Sequence, residues 1–437
     1  MFRHRVQTIA FIACLAPLAV RAQAPAIPDT PAGAVVRVWL DDFASGDSSR
    51  ILDFHRRFQP DRIPQGPMSF WLGTRGFDLI SVEKSEPRHI EFVVRERRSQ
   101  RLAYGVFDLA PSDPVRLASS MMVPMPPNVT VAELRIDAAG RASVIEGASA
   151  QLDSFYVFPE VAKRIGDSLR ARNRRGAYDA NTNQMTFAAR LDAELRELSR
   201  DKHMSFRYSA RPFTPPPPNA PAAVPGAIER EQADLMNCGF VKVEQLEGNV
   251  GYVKFDEFFN VDMCGETASA AMTFVAGTRA LIVDLRENGG GSPAMVSYVS
   301  SYLFSRRTHL SDIWNRRTGR TEEFWTRDSV PGRRFGGEKP VFVLTSANTF
   351  SGAEEFTYNL KTLKRATIVG EVTGGGAHPV GPRPVGNHFV IAVPHSRSIN
   401  PITHTNWEGV GVEPDIKVPA ADALASALKR LPHDPRP

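Results

Sequence analysis

Ala280-Leu281-Ile282-Val283-Asp284-Leu285-Arg286-Glu287-Asn288-Gly289-Gly290-Gly291 sets a near-continuous apolar run against a charged turn and three consecutive glycines. A run of that kind reads as a strand buried on both faces of a parallel sheet. Residues 341–344 repeat the pattern, and Thr345-Ser346-Ala347-Asn348-Thr349-Phe350-Ser351-Gly352-Ala353-Glu354-Glu355-Phe356 follows them as a small-residue loop opening a helical pattern. Two strand-loop-helix units of this form predict an α/β core. Reacting groups in such cores collect in the loops at the carboxyl ends of the strands, where the next helix aims unsatisfied amides.

Working outward, residues 240–255 alternate around Glu247-Gly248-Asn249, the mark of a hairpin. Upstream, Val161, Ile165 and Leu169 recur at helical spacing, as do Phe187, Leu191, Leu195 and Leu198, so residues 150–205 predict two amphipathic helices, the second ending at Asp201-Lys202-His203. Between these blocks seven prolines occupy the fourteen positions 212–225, an extended strap. Residues 34–43 predict a helix, and 89–94 and 101–108 alternate as half-buried strands, so residues 28–140 form an appended α+β domain. The helical segment then covers 148–210, the linker 211–235 and the core 236–425.

The amino-terminal residues carry an export signal. Arg3, His4 and Arg5 precede an apolar run at 8–20, and Ala22-Gln23-Ala24 is a small-x-small site, so cleavage is expected after Ala24, into a periplasmic or extracellular space. Later stretches are too short and too polar to insert stably in a membrane. With 437 residues, 42 % hydrophobic and 23 % charged, the chain is neither a small disulfide scaffold nor a disordered one. Its net charge of +5 shrinks once Arg3, Arg5 and Arg21 are removed, because 50 basic residues then face 48 acidic ones. That balance gives no support for a nucleic-acid partner. Cys238 and Cys264 are the two cysteines left after cleavage, and an oxidising compartment favours a bond between them.

The glycine loop suits an oxyanion, since its backbone can approach a ligand closely. Gly289, Gly291 and Ala294 also fit a dinucleotide fingerprint with Asp312 downstream, but the charged pair Arg286-Glu287 and Pro293 crowd that turn. Ser351 begins a helix at its amide-rich end, as a nucleophile would, and with Glu354 three residues on it equally makes a capping box that needs no catalysis. His203 has the position of a helix-terminal cation as well as that of a base. No metal-ligand spacing occurs, and neither metal nor cofactor is expected.

The segments Asp284-Leu285-Arg286-x-Asn288-x-Gly290-Gly291, Thr349-Phe350-Ser351-Gly352-Ala353-Glu354, Ile368-Val369-Gly370-Glu371-x-Thr373 and Gly409-Val410-Gly411-Val412-Glu413-Pro414-Asp415 resemble the successive motifs of the C-terminal processing (tail-specific) serine peptidases. Tyr156-Val157-Phe158-Pro159-Glu160, Asp201-Lys202-His203 and Thr405-Asn406-Trp407-Glu408-Gly409 are similar to the branch of interphotoreceptor retinoid-binding protein and its bacterial peptidase relatives. The resemblance implies a crotonase-like (ClpP/crotonase) α/β core with an amino-terminal helical segment. Through residues 39–47 the appended domain resembles a nuclear transport factor 2-like roll.

Carried over residue by residue, Ser351 takes the place of the nucleophile, and the amides of Gly352 and Gly290 that of the oxyanion hole. Members with a Ser-Lys dyad have a lysine three residues after the Gly-Glu-x-Thr threonine, a position that is Gly376 here. The branch resembling tricorn protease uses a histidine and a distant glutamate, which implies His203 as base and Glu408 as its carboxylate. His378 is the competing base, and His395 and His404 are further candidates. The implied activity is hydrolysis of peptide bonds through an acyl-enzyme; the alternative is a non-catalytic binder of an apolar ligand on the same fold. Between His203 and Phe240 there is no room for the PDZ domain that many members insert, so small or unfolded peptides are the expected substrates.

Overall fold

The computed structural model describes residues 25–60, 71, 73–209 and 227–431. The expected export segment at 1–24 and the proline-rich strap at 212–225 lie outside the described residues. The chain forms two compact units that divide between Thr130 and Val131. The boundary expected at residue 140 falls inside the helix Ala138–Phe155, which belongs to the second unit, because Val144, Ile145, Ala148 and Leu152 on that helix pack into the second unit's helical core.

In the first unit the helices Pro31–Ser45 and Ser48–Phe58 accompany a four-stranded antiparallel meander: β1 (Phe77–Glu86), β2 (His89–Glu96), β3 (Leu102–Ala110) and β4 (Asp113–Pro124). Trp39, Phe43 and Phe54 from the helices meet Phe77, Phe92 and Phe107 from the sheet in one aromatic core. Thr30 and Asp47 cap the two helices by accepting from backbone N–H groups of their first turns.

The second unit has three sheets, one of six strands and two of three. β5 (Ser205–Tyr208) precedes the undescribed strap. β6 (Phe240–Leu246), β7 (Val250–Phe255) and β8 (Ala280–Asp284) follow it, then β9 (His309–Asn315), β10 (Thr321–Trp325), β11 (Val341–Thr345) and β12 (Thr367–Gly370). β13 (Val380–Val385), β14 (Phe389–Pro394), β15 (Ser396–Ile399) and β16 (Ile416–Lys417) complete the set. The main sheet has the order β16-β12-β11-β8-β7-β6, parallel throughout except for the β6–β7 hairpin. β8 and β11 are buried at every position. Leu281, Val283, Val341 and Val343 pack on one face with Phe356 and Leu360, whereas Ile282, Phe342 and Leu344 pack on the other with Ala423 and Ala427. Burial on both faces is why these strands read as unbroken apolar runs.

The helices Ala138–Phe155, Pro159–Arg174 and Gln184–Ser199 enclose a second core with Phe206 of β5 and Phe389, Ile391 and Val393 of β14. β5 pairs with β14 from Ser205↔Ala392 to Tyr208↔Phe389, and β14 pairs with β13. This pairing fastens the end of the helical segment to the strands that follow residue 376, although the two are distant in sequence. Cys238 and Cys264 are joined in a disulfide with Cα atoms 5.5 Å apart, tying the turn before β6 to the helix Val261–Val275.

Candidate active site

Ser351 stands at the end of the loop after β11, as N-cap of the helix Gly352–Thr362, with φ 52° and ψ −117°. Few non-glycine residues adopt a positive φ, and holding one there costs about 1–3 kcal/mol, so the surrounding contacts must enforce it. Glu354 supplies much of that enforcement. Fully buried, its carboxylate accepts from the Ser351 N–H (2.9 Å), the Gly375 N–H (2.6 Å), the Gly376 N–H (2.8 Å) and the Thr373 hydroxyl (2.5 Å). The capping-box pair of Ser351 and Glu354 is therefore present. The serine hydroxyl lies 2.9 Å from His203 Nε2.

The glycine loop after β8 packs directly beneath the serine. Asp284, itself buried, holds the turn through Arg286 (2.9 and 2.6 Å) and the Tyr252 hydroxyl (2.6 Å). The Asn288 side chain joins the Phe255 carbonyl to the Gly290 N–H, each at 2.9 Å, and the Asn288 carbonyl accepts from the Phe350 N–H. These bonds correct one expectation: the Gly290 N–H is taken by Asn288 Oδ1 and does not face the serine as a free donor. Gly290 contributes its missing side chain, because a Cβ there, at φ +107°, would sit 2.7 Å from both Ser351 Cβ and the Gly352 nitrogen. Among the described residues, the amides that donate to no protein group at this point belong to Gly352 and Gly291.

His203 follows the helix Gln184–Ser199 and immediately precedes β5. Its backbone N–H donates to Asp201 Oδ1 (3.0 Å), and its ring lies 4.7 Å from that of Phe350. Gly376, where the Ser-Lys branch would place its lysine, explains the absence of that residue: a Cβ would fall 2.7 Å from His203 Cε1 and 2.4 Å from the Phe350 ring. A lysine at 376 and this histidine compete for one space.

His378 is buried and its Nδ1 is engaged by Asp201 Oδ2 (2.7 Å) and Glu408 Oε2 (3.4 Å). Glu408 Oε2 also accepts from the Ala377 N–H at 2.6 Å. Two buried atoms here have no hydrogen-bond partner, His203 Nδ1 and Glu408 Oε1. Asp201, His203 and Glu408 present ligand atoms within 4.8 Å of one another, the one grouping among the described residues that could hold a metal ion. Burial lowers the pKa of His203; Asp201 opposes that shift and His378 reinforces it. Burial and the Asp201 carboxylate push Glu408 up to about 7. His395 is instead bonded to Ser396 and Asn315, and His404 is exposed; neither lines the cavity beside Ser351.

That cavity has a volume of about 320 Å³, and Ser351, His203, His378, Gly352 and Gly291 are among the residues that line it. The sequence reading gave Asp201 no role at the site and Glu354 only that of a capping partner. Both sit inside motifs quoted there, but only the long-range bonds to residues 373–378 reveal what they hold.

Residues 249–418 match the sequence profile of peptidase family S41, and residues 130–240 match that of the N-terminal domain of S41 peptidases in eukaryotic interphotoreceptor retinoid-binding protein. Among solved structures the chain is similar to a candidate peptidase of Parabacteroides merdae (17 % identity, TM-score 0.46, covering 66 % of this chain and 96 % of that one). It is also similar to the photosystem II D1 C-terminal processing protease (18 %, TM-score 0.42, 68 % and 98 %). A third similarity is to the tricorn protease (12 %, TM-score 0.41, 83 % and 43 %).

Proposed function

Given a chain that belongs to peptidase family S41 and is a serine-type peptidase, we propose that it cleaves peptide bonds through an acyl-enzyme on Ser351, with His203 as general base and Glu408 as the carboxylate behind it. The observation that carries this reading is the 2.9 Å contact between Ser351 Oγ and His203 Nε2 beside two free amides. A serine hydroxyl is a weak nucleophile unless a neighbouring base removes its proton. Ser351 Oγ attacks the substrate carbonyl carbon while its proton passes to His203 Nε2. The oxygen that gains charge is received by the N–H groups of Gly352 and Gly291, the first of them at the positive end of a helix. His203 then returns the proton to the departing amine, and water, deprotonated by the same nitrogen, releases the acyl group.

With Nε2 accepting from serine, the neutral imidazole carries its other proton on Nδ1. Glu408 Oε1 is the unpaired buried acceptor in the same group, and closing that gap as His203 becomes charged stabilises the imidazolium. His378 is engaged by two carboxylates and acts as a positioning residue for Asp201 and Glu408.

The core is read as crotonase-like and the 25–130 unit as a nuclear transport factor 2-like, non-catalytic appendage. The chain is exported by way of residues 1–24; among the described residues no helix is long and apolar enough to cross a membrane, and the Cys238–Cys264 bond fits an oxidising compartment. Substrates are small or unfolded peptides, because β5 ends at Tyr208 and the next helix starts at Ala227, leaving no space for an inserted recognition domain. The test compares wild type, Ser351→Ala and His203→Ala on an unfolded protein and on a fluorophosphonate probe. Ser351→Ala is expected to lose labelling entirely and His203→Ala to fall by at least about 10³-fold in kcat. Equal labelling of wild type and Ser351→Ala would overturn the nucleophile assignment, and full activity in His203→Ala would transfer the base role to His378.

A further inference from the structure

Six carboxylates are buried among the described residues, and five of them are answered by a cation or by several donors. Glu91 meets His89 and the Tyr104 hydroxyl; Glu194 meets Arg172, Arg190 and the Tyr178 hydroxyl. Asp201 meets His378 and the His203 amide, Asp284 meets Arg286 and Tyr252, and Glu354 has four donors. Glu355 is the sixth. It is 3 % exposed, and its one hydrogen-bond partner is the Ser311 hydroxyl, at 2.6 Å to Oε1. A buried carboxylate without a counter-charge is costly, and burial here pushes the group up to about 7.

The position of Glu355 gives that cost a use. It lies four residues, one helical turn, beyond Ser351, so its side chain shares a face with the serine and lines the same 320 Å³ cavity. The cavity's other walls include Pro293, Val380 and Trp407, which offer apolar surface to the methylene stem of a long side chain. From this geometry we infer that Glu355 determines specificity, selecting substrates with arginine or lysine on the amino side of the scissile bond. The incoming guanidinium or ammonium supplies the cation that the fold withholds from this one carboxylate. The inference rests on Ser351 being the nucleophile, since the cavity is read as the pocket of the residue being acylated.

The test uses fluorogenic peptides that differ at that single position, carrying arginine, lysine, norleucine or leucine, together with a peptide whose free amino terminus lies at the same place. Wild type is expected to favour arginine and lysine over norleucine by about 10⁴-fold in kcat/KM, as a site built around a polar partner rejects the analogue that lacks it. In Glu355→Gln that ratio is expected to collapse toward one, with the thermal midpoint reporting whether the variant folds. Should it not fold, Glu355→Asp keeps the charge and is expected to keep the sign of the preference at reduced size. Benzamidine binding to Ser351→Ala by calorimetry, and its loss in Ser351→Ala/Glu355→Gln, gives a readout that needs no catalysis. Equal cleavage of all four peptides by an enzyme that the fluorophosphonate labels at Ser351 would overturn the inference alone. Absent labelling would overturn the peptidase mechanism, and benzamidine would then decide whether the cavity still selects a cation. Preference for the free amino terminus would overturn the side-chain assignment.

Discussion

Ser351, His203 and Gly376 form a steric unit as much as a chemical one. The ring of His203 occupies the space where any side chain at 376 would start, and Phe350 closes its other side. Gly376→Ala is therefore expected to push the imidazole off the serine hydroxyl and to lower kcat by about 10²-fold, the usual penalty for a displacement near 1 Å. Steady-state kinetics with a circular-dichroism check of folding measures it. Titration supplies a second expectation. The proposed mechanism needs Glu408 ionised and His203 neutral. Glu408 is raised to about 7 and His203 is lowered, so raising the pH through 7 creates the active form, and kcat/KM should rise between pH 6 and 8. Glu408→Gln should lower kcat on the order of 10³- to 10⁴-fold and move what remains of the acid limb to lower pH, where it reports His203 alone. A pH-rate profile without an acid limb near 7 would count against Glu408. At this scale the serine and its histidine were legible through the family resemblance, since spacing alone left a helix cap and a helix-terminal cation as equal readings, whereas the orientation of His378 was not, because it depends on Asp201 and Glu408, which the chain delivers from either side of it.

The loops act through the elements that hold them. One carboxylate, Glu354, bonds the first turn of the helix Gly352–Thr362 to residues 373–376, so Ser351 and the segment leading to His378 are set by a single side chain. Glu354→Ala leaves four donors without their partner and is expected to destabilise the protein by about 3 kcal/mol or more, read from urea unfolding, and to abolish probe labelling. The disulfide acts on the other side of the core. Its 26-residue separation gives about 3 kcal/mol in the chain-entropy picture, so Cys238→Ser should show a comparable loss, matched by reduced wild type. Equal stability of the oxidised and reduced protein would reject that contribution. Of the strands that patterning located, β8 and β11 are buried throughout and β2, β3 and β7 along most of their length, rather than on alternate residues, while β6 is mostly exposed or half-buried. The helix Ala138–Phe155 carries little amphipathic signal, with alanine, glycine and serine through its middle, and β13 contains two prolines, so neither announces itself locally.

Across the whole molecule, the proposed catalytic residues are drawn from opposite sides of the strap, and β5 is the clamp: its four pairs with β14 fix the chain just after His203. All the proposed chemistry lies in the unit from Val131 onward. A chain beginning at Val131 is accordingly expected to keep fluorophosphonate labelling at Ser351, and its loss with folding retained would assign the first unit a part in catalysis. From the sequence came the α/β core, the helical segment and the cysteine pair, because periodicity, glycine runs and residue counts are local properties; the serine–histidine–glutamate set came with the family resemblance, whose motif order is a linear one. Tertiary structure alone decided which amides are free, why residue 376 carries no side chain, which way His378 faces and that Glu355 lacks a cation. Each of these depends on distances between segments far apart in the chain, set by β-pairing and core packing, which the order of residues does not express.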